Sequence, residues 1–221
     1  MRSSSKKPFS VNFVLFFRPK RLSIPIPSIF LSDREMKVEV EPQAAAYPAP
    51  AALVTAFKPD GSANAMTAAW IANICAIPPA LVVGIRDVRY TCELIDQTGC
   101  FGVNIPSSKI APEIDYCGLV SGREHDKIKE TGLTIFKGKV VEVPLIEECP
   151  INIECRVLQK VKVGSHFAFF GEILKVYYSE EMIGEDNKPD LLLGDIIAYG
   201  TRKYYRLKEA IGTYGFSRKE D

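Results

Sequence analysis

The sequence predicts a mainly β protein: an antiparallel barrel, closed or partly split, with a few short helices. Three observations carry that expectation. From Thr134 onward the chain reads as a meander of extended segments. Lys58-Pro59-Asp60-Gly61 is a turn signal between two extended runs, the mark of a hairpin. No Gly-rich phosphate loop leads from a strand into a long helix, which disfavours a dinucleotide-binding α/β fold.

The elements follow in order. Residues 51–57 and the segment from Ser62 form the hairpin, and residues 81–85 are a buried strand. Residues 90–99 have helical apolar spacing closed by Gly99, and residues 101–105 return to strand. Residues 109–117 read as helix, residues 121–127 as a charged, Gly-containing loop. Strands are expected over 140–143, 151–162 and 167–178, with Gly171 marking a bulge or a close approach. A polar loop over 180–190 precedes a last strand over 191–199.

A chain of 221 residues, 47% hydrophobic and 25% charged, is long enough for one substantial core, and one domain is expected over residues 36–221. Residues 1–35 hold seven basic and two acidic residues, so the body is mildly acidic. This basic extension loosely resembles a signal peptide, but Asn12 breaks its apolar run and no small-x-small cleavage site follows. It reads as a weakly structured extension or as sequence upstream of a start at Met36. No apolar run approaches the roughly 20 residues of a membrane span. A net charge of +1 supplies no field for nucleic acid or an anionic membrane. Six cysteines without a Cys-x-x-Cys and only two histidines argue against a metal site and for reduced thiols, hence a cytoplasmic location.

The stretch from Asn64 to Ile85 places small residues and Pro78-Pro79 where a buried strand would carry bulky ones. Ala68, Ala69, Ala72 and Ala76 leave backbone groups accessible to the polar edge of a flat ring, and Thr67 and Asn73 add side-chain partners. Close strand packing explains the same small residues equally well. Arg86, Arg89, Tyr90 and Thr91 sit at a strand end and helix start, where a hydroxyl cap from Thr91, free N–H groups and guanidinium forks suit a phosphate; an ordinary capped helix is the competing reading. Trp70 is expected in the core and His125 on the surface.

These motifs occur in the order of a known family. Asn64-x-Met66-Thr67-Ala68-Ala69, Cys75 before Pro78-Pro79, the Arg86/Thr91 turn, Phe101-Gly102-Val103-Asn104 and Gly164-Ser165-His166 resemble the flavin reductase-like FMN-binding split barrels, in their flavoredoxin branch, over roughly residues 45–210. The resemblance implies a Greek-key-like split β-barrel with non-covalent FMN. Asn64 and Met66 belong to the motif, and Thr67, Ala68 and Ala69 match the stretch meeting the isoalloxazine ring, alongside Asn73. Cys75 and Ala76 match the turn at the flavin's polar edge, and Arg86, Tyr90 and Thr91 the phosphate turn. Asn104 matches a pocket-lining Asn, and His166 a histidine on the nicotinamide side, with Ser165 in place of the family's acid.

The implied function is electron transfer through FMN from a reduced donor, NADH or NADPH being candidates, to a protein or small-molecule acceptor. The alternatives are a flavoredoxin-type carrier without nicotinamide turnover and a flavin-free binding barrel. A homodimer with FMN near its interface is expected.

Overall fold

The computed structural model describes residues 37–218, so the basic extension expected over residues 1–35 lies outside the described residues. Residues 37–43 belong to a first unit, exposed and without strand or helix, and the fold below lies in the second unit, from Ala44 onward.

The hairpin forms where the turn residues place it. β1 (Ala49–Pro50) is short, and β2 (Ala52–Phe57) pairs antiparallel with β3 (Ala63–Ala68) across the Pro-Asp-Gly turn. β4 (Ile71–Ala76) and β5 (Pro79–Arg86) form a second hairpin, followed by α1 (Tyr90–Thr98) and β6 (Cys100–Ile105). Gly99 ends α1 as expected, at φ 66°, with its N–H on the Ile95 carbonyl. The long antiparallel pair β9 (Ile151–Val163) and β10 (His166–Tyr178) completes a seven-stranded sheet in the order β3-β2-β6-β9-β10-β5-β4. Here β7 (Ile135–Lys137) and β8 (Pro144–Ile146) pair with each other, and β11 (Ile197–Gly200) lies between β1 and β12 (Lys203–Arg206).

Alternation along the strands sorts two cores. Val54 and Ala56 of β2, Met66 and Ala68 of β3, Val83 and Ile85 of β5, Phe101 and Phe169 share one interior, into which α1 inserts Cys92, Leu94 and Ile95. Strands from both ends of the sheet contribute to that cluster, so the sheet curls on itself. Its edge strands β3 and β4 are neighbours in sequence but not in the ladder, and the barrel is split between them. The outward residues Leu53 and Ala65 pack instead against Ile114 and Cys117 of α2 (Ala111–Leu119). Gly171 is both a register shift and a close approach: a Cβ there would meet Phe101 Cζ at 2.6 Å.

Three segments differ from expectation. Residues 140–143 form no strand, because the backbone N–H groups of Lys139, Val140 and Val141 all turn onto the buried Glu154 carboxylate at 2.7–2.8 Å. Of the strand expected over 191–199 only the end forms; Leu191, Leu192 and Leu193 lie exposed in turns. The charged loop gives way at its last residue to α3 (Lys127–Thr131), capped by the Asp126 carboxylate on Lys129 N at 3.3 Å.

Burial opposes ionisation of Glu154, but the Tyr177 hydroxyl (2.5 Å) and the three N–H groups outweigh it and hold its pKa below the ordinary 4.5. A depressed carboxyl contributes stability above its unfolded pKa and loses it as pH falls through the folded one. Glu154→Gln should lower the unfolding free energy near neutral pH by about 2 kcal/mol, and the gap from wild type should narrow below about pH 4.5, as read by urea denaturation across pH.

Candidate functional site

β5 delivers its last residue, Arg86, to the start of α1, and the chain turns there through the Arg89 N–H on the Arg86 carbonyl at 3.0 Å. The N-cap is Arg89, without a side-chain cap bond, so the first-turn N–H groups of α1 have no capping side chain. Thr91, expected as the capping hydroxyl, is buried inside the first turn and accepts from Asn64 Nδ2 at 2.8 Å.

A cavity of about 260 Å³ opens at this junction. Asn64 and Met66 of β3, Arg86 of β5 and Arg89, Tyr90 and Thr91 line one side; Ser121, Gly122 and Lys127 close the other. Three cations therefore face it and no carboxylate does. The nearby acids are engaged elsewhere, Asp87 with Lys162 and Glu93 with Arg123. Arg123 also lies over the Tyr90 ring, 4.6 Å from its centroid.

Lys127 is only 4% exposed, and its Nζ donates to the carbonyls of Cys117 (3.0 Å) and Val120 (3.3 Å) at the end of α2. Burial pushes its pKa down to about 8 and that of Cys117 up to about 11. Asn64 Oδ1 is enclosed against Gly122 with no hydrogen-bond partner. The sequence reading places Lys127 at the end of a charged loop; the Asp126 cap three residues before Lys129 is the signal that a helix begins there.

A second, apolar cavity of about 500 Å³ lies between residues 44–50 and the start of β4, walled by Ala69, Trp70, Ala72, Val82 and Gly84. Trp70 is 50% exposed rather than in the core, and its ring meets the His166 imidazole at 4.5 Å, tilted by 36°. Gly84 allows this: a Cβ there would already lie 3.3 Å from Trp70 Cβ. Burial, then the Arg86 charge, lowers the His166 pKa, so the imidazole is neutral at pH 7; its Nδ1 lies 2.9 Å from Ser165 Oγ. Gly84 and Arg86 are two residues apart on β5, so about 7 Å of strand separates the two cavities.

The remaining expected residues are distributed differently. Thr67 donates its hydroxyl to the Ile114 carbonyl and, with Ala69, borders a third cavity of about 230 Å³ against α2, Tyr199 and Tyr204. Ala68 faces the barrel interior. Asn73, Cys75 and Ala76 lie exposed on edge strand β4 and line none of these cavities; Cys75 Sγ donates to the Ile77 carbonyl at 3.3 Å. Asn104 is enclosed: Nδ2 donates to Leu53 O (3.0 Å) and Thr55 Oγ1 (3.1 Å), and Oδ1 accepts from Ile146 N and Asn152 Nδ2 at 2.9 Å each. Its polar capacity is spent tying β2, β6, β8 and β9 together. His125, expected on the surface, is half-buried, with Nδ1 3.3 Å from Tyr116 Oη and 3.2 Å from Glu130 Oε2.

The profile of the flavin reductase like domain matches residues 44–208, the span that builds both cavities. The chain belongs to the flavin reductase like domain family. Within this family of flavin-linked redox proteins, the flavoredoxin of Desulfovibrio vulgaris (Miyazaki F) is 33% identical and superimposes with a TM-score of 0.78, covering 82% of this chain and 98% of that one. The flavoredoxin of Methanosarcina acetivorans is 32% identical with a TM-score of 0.76, over 83% and 97%. An uncharacterised protein of Archaeoglobus fulgidus is 38% identical over 128 residues, 58% of this chain and 71% of its own. Among the described residues of this family member, no helix is long and apolar enough to cross a membrane.

Asn104→Ala strands the Ile146 N–H and one N–H of the Asn152 amide, whose other bond to the Ile146 carbonyl remains, inside the flavin reductase-like barrel. It should cost about 2–4 kcal/mol in urea unfolding; a loss under about 0.5 kcal/mol would show that water or rearrangement replaces those bonds.

Proposed function

We propose that this chain binds FMN non-covalently and passes electrons through it from a reduced donor to an acceptor. The observation that carries the reading is the pair of unlike cavities on one strand: an apolar one at Gly84 and one at Arg86 that collects three cations and no carboxylate. An aromatic ring joined through a short polyol to a phosphate has that polarity. The residues fit such a group: Asn64 Oδ1 lacks a donor beside the cationic cavity, which a ligand hydroxyl supplies. Arg86 and Arg89 with the open first turn of α1 would hold the phosphate. Trp70 and the small residues Ala69, Ala72 and Gly84 would receive the ring. Bound FMN supplies the redox chemistry; the chain supplies orientation, exclusion of water and hydrogen bonds that tune it.

His166, neutral and tilted against Trp70, is proposed to face the donor side, where NADH or NADPH would approach. A flavoredoxin-type carrier is the second reading, favoured by the two flavoredoxin relatives. The edge strand β4 and the residues flanking it leave Trp70, Ile74 and Ile77 exposed, Ile77 at 92%, and a second copy of the chain is proposed to cover them.

Arg86→Ala should raise the Kd for FMN at least about tenfold while leaving riboflavin binding unchanged, measured through quenching of Trp70, the sole tryptophan. Equal losses for both flavins would remove the phosphate assignment. Bleaching of the flavin by NADH or NADPH without oxygen marks the enzyme, and its absence the carrier. A sedimentation mass of one chain would reject the dimer.

A further inference from the structure

We propose that Lys127 makes the cationic cavity a pH-gated phosphate-monoester site: it binds the ester while Lys127 carries its proton and releases it as that proton is lost. The identity of the ester rests on the FMN reading above; the anion chemistry does not.

The geometry sets Lys127 apart from the arginines. Arg86 is exposed and Arg89 half-exposed, whereas Lys127 is enclosed at the back of the cavity. Its two acceptors are neutral carbonyls, and a third N–H of the ammonium has no acceptor among the described residues. No carboxylate pairs with it there either. A buried ammonium without a counter-charge is costly, and an anion entering the cavity is the partner that would offset this. The unpartnered Asn64 Oδ1 lies on the same wall, beside Gly122.

The charged and titratable groups facing Lys127 are Cys117 on α2, Arg89 at the start of α1 and Lys58 in the β2–β3 turn, with Arg86 across the cavity. Glu113 on α2 acts on Cys117, not on Lys127. On its own helix, Asp126 caps the backbone and Glu130 accepts from Tyr116. Burial holds the Lys127 pKa at about 8, with Arg89 and Lys58 lowering it further and Cys117 acting the other way. The Cys117 thiol, at about 11, stays neutral through the range that matters.

The sign follows from linkage. A bound dianion favours the protonated amine, so the Lys127 pKa rises on binding, and above about pH 8 binding takes up a proton. Affinity should then fall by up to tenfold per pH unit until the pKa of the complex is reached. The phosphate's own second ionisation, near pH 6, is already complete.

The test titrates FMN and riboflavin into the full chain at about pH 7 and about pH 9.5, with Trp70 quenching as readout. The FMN Kd should rise at least about tenfold relative to that of riboflavin, which shares the ring ionisation but has no phosphate. Lys127→Arg, charged throughout, should bind FMN with a flat ratio; Lys127→Met should bind FMN weakly at both pH values. A flat wild-type ratio, or a wild-type profile retained in Lys127→Arg, overturns the proposal, and the Arg variant decides alone if the Met variant does not fold. Should neither flavin bind, the FMN reading fails by itself, and inorganic phosphate is titrated into the same proteins by calorimetry. Phosphate binding that weakens above about pH 8 in wild type but not in Lys127→Arg then supports the role of Lys127, and its absence rejects it.

Discussion

Three like charges converge on one cavity, and the fold around them supplies no carboxylate to neutralise them. Arg89 and Lys58 both push the Lys127 pKa down, the mark of like charges held near one another. The barrel tolerates this because its other interactions are in place: the interior packs Val83 and Ile85 of β5 against Phe101 and Phe169, and α1 fills one mouth with Leu94 and Ile95. The end of β5 is thereby fixed, and with it the position of Arg86. The carbonyls ending α2 steady the Lys127 ammonium through hydrogen bonds and the helix dipole, without cancelling its charge.

The same strand explains why the second cavity lies so near. β5 is the strand next to the edge, and its partner β4 has no further neighbour in the sheet. Gly84 thins the wall, Trp70 lies across it, and β10 brings His166 opposite Arg86 in register. An apolar face, a neutral imidazole and a cationic pocket thus follow one another along β5 and the strands beside it. The flavin phosphate proposed as ligand is bipolar in the same order.

Much of this was legible in the sequence, because turns and periodicity act locally. Lys58-Pro59-Asp60-Gly61 gave its hairpin, Gly99 its helix end, and Gly171 its close approach. Arg86, Tyr90 and Thr91, expected at one turn, do line one cavity, with Asn64 and Met66 beside them. What failed depended on long-range partners. Nothing local says that Glu154, inside an alternating strand, would capture three N–H groups from residues 139–141, or that Trp70 would rest on a histidine nearly a hundred residues away. Lys127 was hidden for the same reason: in a run of charges a buried lysine looks like a solvated one until α2 and β3 enclose it.

A crystal structure of the full chain with FMN tests the central claim most directly. The account requires the phosphate among Arg86, Arg89 and Lys127, with the ring along the Trp70 and Gly84 wall. A flavin bound elsewhere, or one whose phosphate points away from those three cations, would contradict it.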